Sequence, residues 1–324
     1  MLRSYGTLIG SLLLFVLIGA ARVLGWLGAP LGEASLTLFE WTFQLPFAVQ
    51  AGIGMLLILM DLYLMLRIIS ENALYDTRTY FAPALFLMLL CGAPFALPLT
   101  AGLVGLTLTL FCILILLTSY QQQRAVSEYA SGFFFFGIAT LFAPHWLYLI
   151  PFLFIGCSFI GSLTGRTFLA ALLGLIAPWW IAAGVLFFLD GIGNFCLPFL
   201  EIARFSPIDY THLPIGVIAS LLLAVLLALP ALLSYPSAAP SLKERTRVAY
   251  ALLITLSIGV LLFCFVQPQQ IDNLFPLLAC LVSLLVSRML LSASLRSKKI
   301  FLTIIVFLLI VYLSCPLWMP LLTF

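Results

Sequence analysis

The chain has 324 residues, of which 64% are hydrophobic and only 8% are charged. A soluble domain carries about 25% charged residues, whereas 14 Lys and Arg with 11 Asp and Glu cannot coat a protein of 35.6 kDa in water. The composition therefore excludes a soluble protein and predicts a membrane protein. The small net charge of +3 gives no support to nucleic-acid binding.

Apolar segments follow one another along the whole chain. A spanning helix needs about 20 apolar residues to cross the hydrocarbon core of a bilayer. We therefore expect an all-α, polytopic transmembrane helical bundle of about 11 spans. It would form a single integral membrane domain over residues 1–324, with no soluble domain. The predicted segments are 5–27, 46–68, 80–97, 101–119, 131–143, 145–163, 168–189, 213–235, 248–267, 273–292 and 300–319.

The end of the first segment and the loop after it carry charged residues at the predicted outer face of the membrane. Segment 5–27 has Arg22 near its outer end and no cleavage site for a signal peptidase, so we expect a retained helix. The outer loop at about 28–45 holds Glu33 and Glu40, and Glu40 lies in an amphipathic stretch, SLTLFEWTFQL, that suits the membrane interface. A carboxylate there could deprotonate an acceptor hydroxyl. The alternative is a pair of solvated loop charges.

Asp61 lies within the apolar run LLILMDLYLMLRII of the second segment. An ionisable group in hydrocarbon costs several kcal/mol, so it is a candidate for function. Arg67 and the following loop could bring water to it. A structural polar contact is therefore the alternative interpretation of Asp61.

The stretch 131–163 decides the number of spans. Pro144 and His145 mark either the tip of a hairpin between two helices or a kink in one long helix, which would leave 10 spans. Charge favours the hairpin, because Lys and Arg collect in cytoplasmic loops. With 11 spans and a cytoplasmic amino terminus, twelve of the fourteen basic residues lie on the cytoplasmic side, and the carboxyl terminus is periplasmic.

The loop at about 190–212, DGIGNFCLPFLEIARFSPIDYTH, is the richest polar stretch of the chain. Its piece LPFLEIARF is amphipathic and would lie in the headgroup layer. Glu201 and Arg204 are three residues apart and can share a helical face, either as a site or as an ordinary ion pair. The outer candidates are, for catalysis, Glu33, Glu40, Glu201, Asp209 and His212, and, for substrate or phosphate binding, Arg22, Arg204 and His145.

Three apolar blocks carry a family resemblance. They are ENALYDTRTYFAPALFLML at 71–89, LTLTLFCILILLTSYQQQRAVSEYASGFFFFGIATLFAPHWLYLIPFLF at 106–154, and FLAALLGLIAPWWIAA at 168–183. Over about the first two thirds of its length the chain resembles an uncharacterised polytopic inner-membrane family of Gram-negative bacteria. The resemblance implies a bacterial inner-membrane location and supplies no activity and no catalytic residues.

Three functions remain open, and the sequence does not decide whether the protein is an enzyme. The first is cell-envelope biogenesis, in which the protein handles a lipid-linked (polyprenyl-phosphate) sugar or glycan at the outer face of the inner membrane. The alternatives are a non-catalytic subunit or assembly factor, and a transporter or lipid flippase. Expected partners are membrane lipids, the lipid-linked substrate and other membrane proteins. No nucleotide-binding glycine loop or paired Cys/His set is present, so no cofactor or metal is expected.

Overall fold

A computed structural model describes residues 5–23, 36–38, 41–43, 46–75, 79–93, 99–122, 124–189 and 214–322. These residues confirm the helical class predicted from the sequence. Their eleven α-helices are α1 Tyr5–Val23, α2 Phe47–Glu71, α3 Phe81–Gly92, α4 Ala101–Thr118, α5 Val126–Phe142, α6 Ile150–Ser158, α7 Gly165–Leu189, α8 Ile215–Ala238, α9 Glu244–Val266, α10 Ile271–Ser292 and α11 Leu295–Leu322. Short 3-10 helices cover Pro144–Leu149, Ala239–Ser241 and Pro268–Gln270.

Each predicted apolar segment corresponds to one helix, but the helices differ in length. Within the described residues, seven helices are long and apolar enough to cross a membrane, namely α2, α4 and α7 to α11. The other apolar helices are shorter: Leu8–Leu17 within α1, α3, α5, and the stretch Pro144–Ser158 that includes α6. With 12 residues, α3 is only about 18 Å long, against about 30 Å of hydrocarbon.

The loop predicted at about 28–45 contains two short strands. Strands β1 (Leu36–Leu38) and β2 (Trp41–Phe43) pair in antiparallel register, with Thr37 opposite Thr42. Each strand places a threonine between two apolar residues, and this period of two is typical of strands. The sequence predicts only an interfacial loop here, and the pairing of the two strands is a finding of the structure.

Successive helices from α2 to α11 alternate in direction, so that their ends form two opposite surfaces. At one surface the Tyr250 hydroxyl of α9 donates to the carbonyl oxygen of Leu74, just after α2 (3.1 Å), and the Tyr75 hydroxyl donates to that of Leu284 in α10 (3.0 Å). We call this surface the basic end. The basic residues with described side chains lie there: Arg67, Arg124, Arg166, Lys243, Arg245, Arg247, Arg288, Arg296, Lys298 and Lys299.

Helices α5 and α6 form the predicted hairpin. The Phe133 ring of α5 stacks on the Phe154 ring of α6, with centroids 4.7 Å apart. Nearer the basic end, the Tyr129 hydroxyl of α5 lies 3.1 Å from the Ser162 hydroxyl, which follows α6. The alternative prediction of one kinked helix over 131–163 is therefore wrong. His145 lies in the turn of the hairpin, at the surface opposite the basic end.

The core of the bundle is centred on α10. This helix packs against α3, α4, α8 and α9 and is buried along almost its whole length. Helices α7 and α11 lie at the periphery and expose large apolar side chains, for example Leu173, Trp180, Phe188 and Phe307. Such extended apolar surfaces are rare on soluble proteins and suit contact with lipid tails.

Candidate functional site

Most of the candidate residues named from the sequence lie outside the described residues. This holds for Glu33, Glu40, Glu201, Arg204, Asp209 and His212. Arg22 lies in the last turn of α1, where only the backbone is described. The hypothesis of a catalytic site on the outer loops therefore stays a prediction.

Asp61 and His145 are the candidates whose side chains are described, and they lie in different parts of the fold. His145 is half-buried in the turn between α5 and α6. Asp61 is fully buried inside α2. It lies ten residues before Glu71, the end of the helix, a distance of about 15 Å along the axis. Asp61 is therefore deep in the bundle, and the next charged residue of α2, Arg67, lies about 9 Å further along the axis.

The periodicity of α2 explains why Asp61 points inward. One side of the helix exposes apolar residues at helical spacing, including Val49, Ile53 and Leu56. The other side buries Ile58, Asp61, Met65 and Ile68 against the neighbouring helices. An acidic side chain on this inner face needs a polar partner from another helix.

Thr107 of α4 supplies that partner. Its hydroxyl oxygen lies 2.6 Å from Oδ1 of Asp61 and 3.1 Å from the carbonyl oxygen of Leu103, both within hydrogen-bonding distance. Oδ2 of Asp61 is buried and has no hydrogen-bond partner among the described residues. The thiol of Cys280 on α10 lies within electrostatic range of the carboxyl group. The buried carboxyl thus joins α2 to α4.

A second feature is a cavity of about 430 Å³ at the basic end, between α8, α9, α10 and α11. We call it the basic-end cavity. Its deeper wall is apolar and contains Ala231, Leu285 and Met289, which are buried. Its rim is polar, with the exposed Ser237 and Ser292 near the ends of α8 and α10.

Arg288 is the charged residue that lines the basic-end cavity. It lies one turn before the end of α10 and is half-buried. The hydroxyl groups of Tyr235 and Tyr250 also line the cavity but donate to backbone carbonyl oxygens, those of Arg247 and Leu74. The strongest hydrogen-bond donor at the cavity is therefore a guanidinium group, which suits a phosphate or carboxylate.

A larger cavity of about 610 Å³ lies beside the end of α2 and is lined by Arg67, Tyr75, Thr79 and Tyr80. Its arginine, Arg67, donates to the Glu71 carboxylate across 2.6 Å. Burial raises the pKa of the Tyr75 phenol, which stays neutral. Neither cavity is lined by a metal-binding cluster, since the described residues include no group of three or more His, Cys, Asp and Glu that could hold a metal ion.

Sequence reasoning missed Thr107 and the role of Arg288. Thr107 lies in the run LTLTLF, where a threonine commonly satisfies its own helix, and it is 46 residues from Asp61. In the sequence, Arg288 is one of many basic residues near predicted cytoplasmic helix ends. One local signal is Ser292, which lies four residues after Arg288 and therefore shares its face of the helix.

Comparison with known proteins adds a family and no activity. The sequence model of a family of unknown function, DUF6427, matches residues 31–318. No curated protein and no solved structure matches the chain. The match extends well beyond the first two thirds, in which the sequence blocks resemble an uncharacterised family, and includes the late helices. Since it covers most of the chain, the protein belongs to the DUF6427 family of unknown function.

Proposed function

We propose that the protein binds and handles a lipid that carries a phosphate group. The observation that supports this is the basic-end cavity, in which an apolar wall lies deeper in the bundle and a polar rim with Arg288 lies at the helix ends. A lipid has the same gradient, from acyl or prenyl chain to charged headgroup. Bound there, a phosphate would accept hydrogen bonds from the Arg288 guanidinium group.

The proposed substrate class is a polyprenyl-phosphate-linked sugar or glycan of the cell envelope. In this proposal the chemistry takes place at the outer face, with Glu33, Glu40, Glu201, Asp209 and His212 as acids or bases and Arg22, Arg204 and His145 as phosphate contacts. The basic-end cavity lies at the opposite surface from His145. The cavity would therefore bind the lipid at the opposite side of the membrane, separately from the chemical step at the outer face.

We also propose a bacterial inner-membrane location with 11 spans, a cytoplasmic amino terminus and a periplasmic carboxyl terminus. The alternating helix directions support this topology, as does the collection of described basic residues at one end. The shorter helices α3, α5 and α6 would cross only if the bilayer thins locally or if the flanking polar residues reach the interface.

The first test is native mass spectrometry of the protein released gently from its own membrane. We expect a co-purifying phosphate-bearing lipid in the wild type and about a tenfold or greater loss in Arg288→Gln, because charge-assisted hydrogen bonds contribute about 1.5–3 kcal/mol. Arg166→Gln is the matched control, since Arg166 is an exposed arginine of the basic end that does not line the cavity. Arg288→Lys should retain part of the binding.

Three results would contradict the proposal: no bound lipid, equal binding in the two glutamine variants, or a stoichiometric protein partner in place of a lipid. A bulk phospholipid in place of a polyprenyl-phosphate lipid would contradict the narrower substrate class. The mass of the bound species distinguishes these outcomes.

The outer-loop chemistry has its own test. Substitution of Glu33, Glu40, Glu201 or Arg204 is expected to abolish the lipid-linked glycan product at an unchanged protein level. Unchanged product in all four variants would contradict the enzymatic part of the proposal but not the proposed lipid binding.

A transporter is the second candidate, and the Asp61–Thr107 pair favours it because ionisable groups inside membranes commonly mark transport pathways. This candidate predicts that Asp61→Asn impairs uptake or lipid translocation. Normal transport in that variant would argue against it. A non-catalytic subunit, the third candidate, predicts a stable protein partner and no effect of single outer polar substitutions.

A further inference from the structure

We propose that Asp61 is a proton-binding site in the interior of the bundle. In this arrangement Oδ1 of Asp61 carries a proton and donates it to the hydroxyl oxygen of Thr107, and the Thr107 hydroxyl donates to the carbonyl oxygen of Leu103. The ligand is a single proton, held at the contact between α2 and α4. This inference does not depend on the proposed handling of a lipid.

The number of hydrogens at Thr107 carries the first step of the argument. A threonine hydroxyl has one hydrogen, yet Oγ1 of Thr107 lies within hydrogen-bonding distance of two oxygen atoms, Oδ1 of Asp61 at 2.6 Å and the Leu103 carbonyl at 3.1 Å. Two hydrogen bonds need two hydrogens. Both can form at once if Thr107 supplies one hydrogen and the carboxyl group of Asp61 supplies the other. A distance of 2.6 Å is short even among O–H···O hydrogen bonds.

The surroundings of Oδ2 carry the second step. An ionised carboxylate can accept about four hydrogen bonds, whereas Oδ2 is buried with no partner among the described residues. No described Lys, Arg or His forms an ion pair with Asp61, and the titratable group that faces it from α10 is the thiol of Cys280. A charged carboxylate would stand uncompensated in an apolar core, and such burial is strongly unfavourable.

A metal ion fits the site less well than a proton. Hard cations such as Ca²⁺ and Mg²⁺ take about six oxygen ligands. The oxygen atoms that meet here belong to the Asp61 carboxyl, the Thr107 hydroxyl and the Leu103 carbonyl, and the last already serves its own helix. The residues that flank Asp61 on the inner face of α2, Ile58 and Met65, are buried and apolar.

Loss of the proton is therefore linked to the packing of α2 against α4. If Asp61 released it, two carboxylate oxygens would need water or a cation, and neither can reach the fully buried side chain while the helices stay in contact. Proton exchange thus requires α2 and α4 to separate at this level. Because the proton on Asp61 is linked to the contact between α2 and α4, its binding and release can drive a conformational change.

Infrared difference spectroscopy on the protein in lipid vesicles at neutral pH tests the proposal without an activity assay. We expect the wild type to show the carbonyl band of a protonated carboxylic acid, shifted in D₂O and absent from Asp61→Asn. Thr107→Val should move the band to higher frequency, because the hydrogen bond to Oδ1 is lost. Thr107→Ser, which keeps the hydroxyl group, should leave it in place.

A wild type without this band would overturn the proposal, as would a band that appears only when Na⁺ is removed. If Asp61→Asn does not fold, wild-type protein with ¹³C-labelled aspartate carboxyl groups takes its place. The band must then shift on labelling and respond to Thr107→Val. A labelled band that ignores the Thr107 substitution belongs to another aspartate and would equally overturn the assignment to Asp61.

Discussion

A Cβ atom on Gly174 of α7 would overlap the backbone carbonyl oxygen of Ala130 in α5, so this residue has to be glycine for the two helices to touch. A Cβ atom added to Gly137 of α5 would likewise lie only 2.7 Å from the Leu175 carbonyl oxygen of α7. The sequence suggests the same packing role for Gly10 and Gly184, but among the residues that the structure describes no other atom lies within 4 Å of the Cβ position of either. Small residues predict possible close approach, and only the fold shows where it occurs.

Gly174→Ala is expected to destabilise the protein by about 1–3 kcal/mol, because the new methyl group must push α7 away from α5. Gly184→Ala in the same helix is the matched control. It meets open space and should be neutral or stabilising by up to about 1 kcal/mol, since alanine favours a helix over glycine. Thermal unfolding in detergent measures both, and equal melting temperatures would contradict the close contact.

Tyr312→Phe is expected to destabilise the contact of α11 with its neighbours by about 1 kcal/mol. The Tyr312 hydroxyl lies 3.1 Å from the Leu89 carbonyl oxygen of α3 and 2.9 Å from the Ser220 hydroxyl of α8. Combining Tyr312→Phe with Ser220→Ala should cost less than the sum of the single changes, because both remove the same hydrogen bond. Additive losses of unfolding free energy would show that the two hydroxyl groups do not interact.

At the scale of elements, Pro144 ends α5 through the residue before it. Ala143 has an extended backbone (φ −139°, ψ 87°), as the proline ring demands of its predecessor. The chain then turns in a 3-10 helix and returns as α6. A proline in lipid can also kink a helix that continues, so the local sequence allows both outcomes. The aromatic contact between Phe133 and Phe154 belongs only to the hairpin.

The hairpin predicts which connections share a side of the membrane. Cysteines placed at the exposed Gln122 and Thr164 should react with a membrane-impermeant thiol reagent from the same side. A cysteine in place of His145 should react from the other side. The unsubstituted protein supplies the background, and its cysteines with described side chains are all buried. Labelling of Thr164→Cys from the same side as His145→Cys would require one continuous helix.

At the scale of the whole molecule, the basic residues of loops far apart in the chain converge on one surface. Tyr120, just after α4, lies beside Glu244 and Arg247 at the start of α9. The ends of α4 and α9 therefore adjoin at the basic end. The opposite surface holds the turn with His145. This segregation accords with a cytoplasmic basic end.

Ser294 lies exposed in the short connection between α10 and α11, at the basic end. We expect Ser294→Cys to react with an impermeant thiol reagent in inverted membrane vesicles and to be protected in right-side-out vesicles or spheroplasts. The opposite pattern would reverse the proposed orientation of the whole chain and place the basic-end cavity in the periplasm.

Composition and the succession of apolar segments by themselves determined the membrane setting, the helical class and the position of Asp61 within an apolar helix, because these properties depend on residues within a few turns of one another. Only the tertiary structure decided that Thr107 pairs with Asp61 and that α8 to α11 enclose a cavity around Arg288. The two residues of the first pair are 46 positions apart. Contacts of this kind depend on how whole helices pack, and apolar helices of similar composition carry almost no local signal for their neighbours.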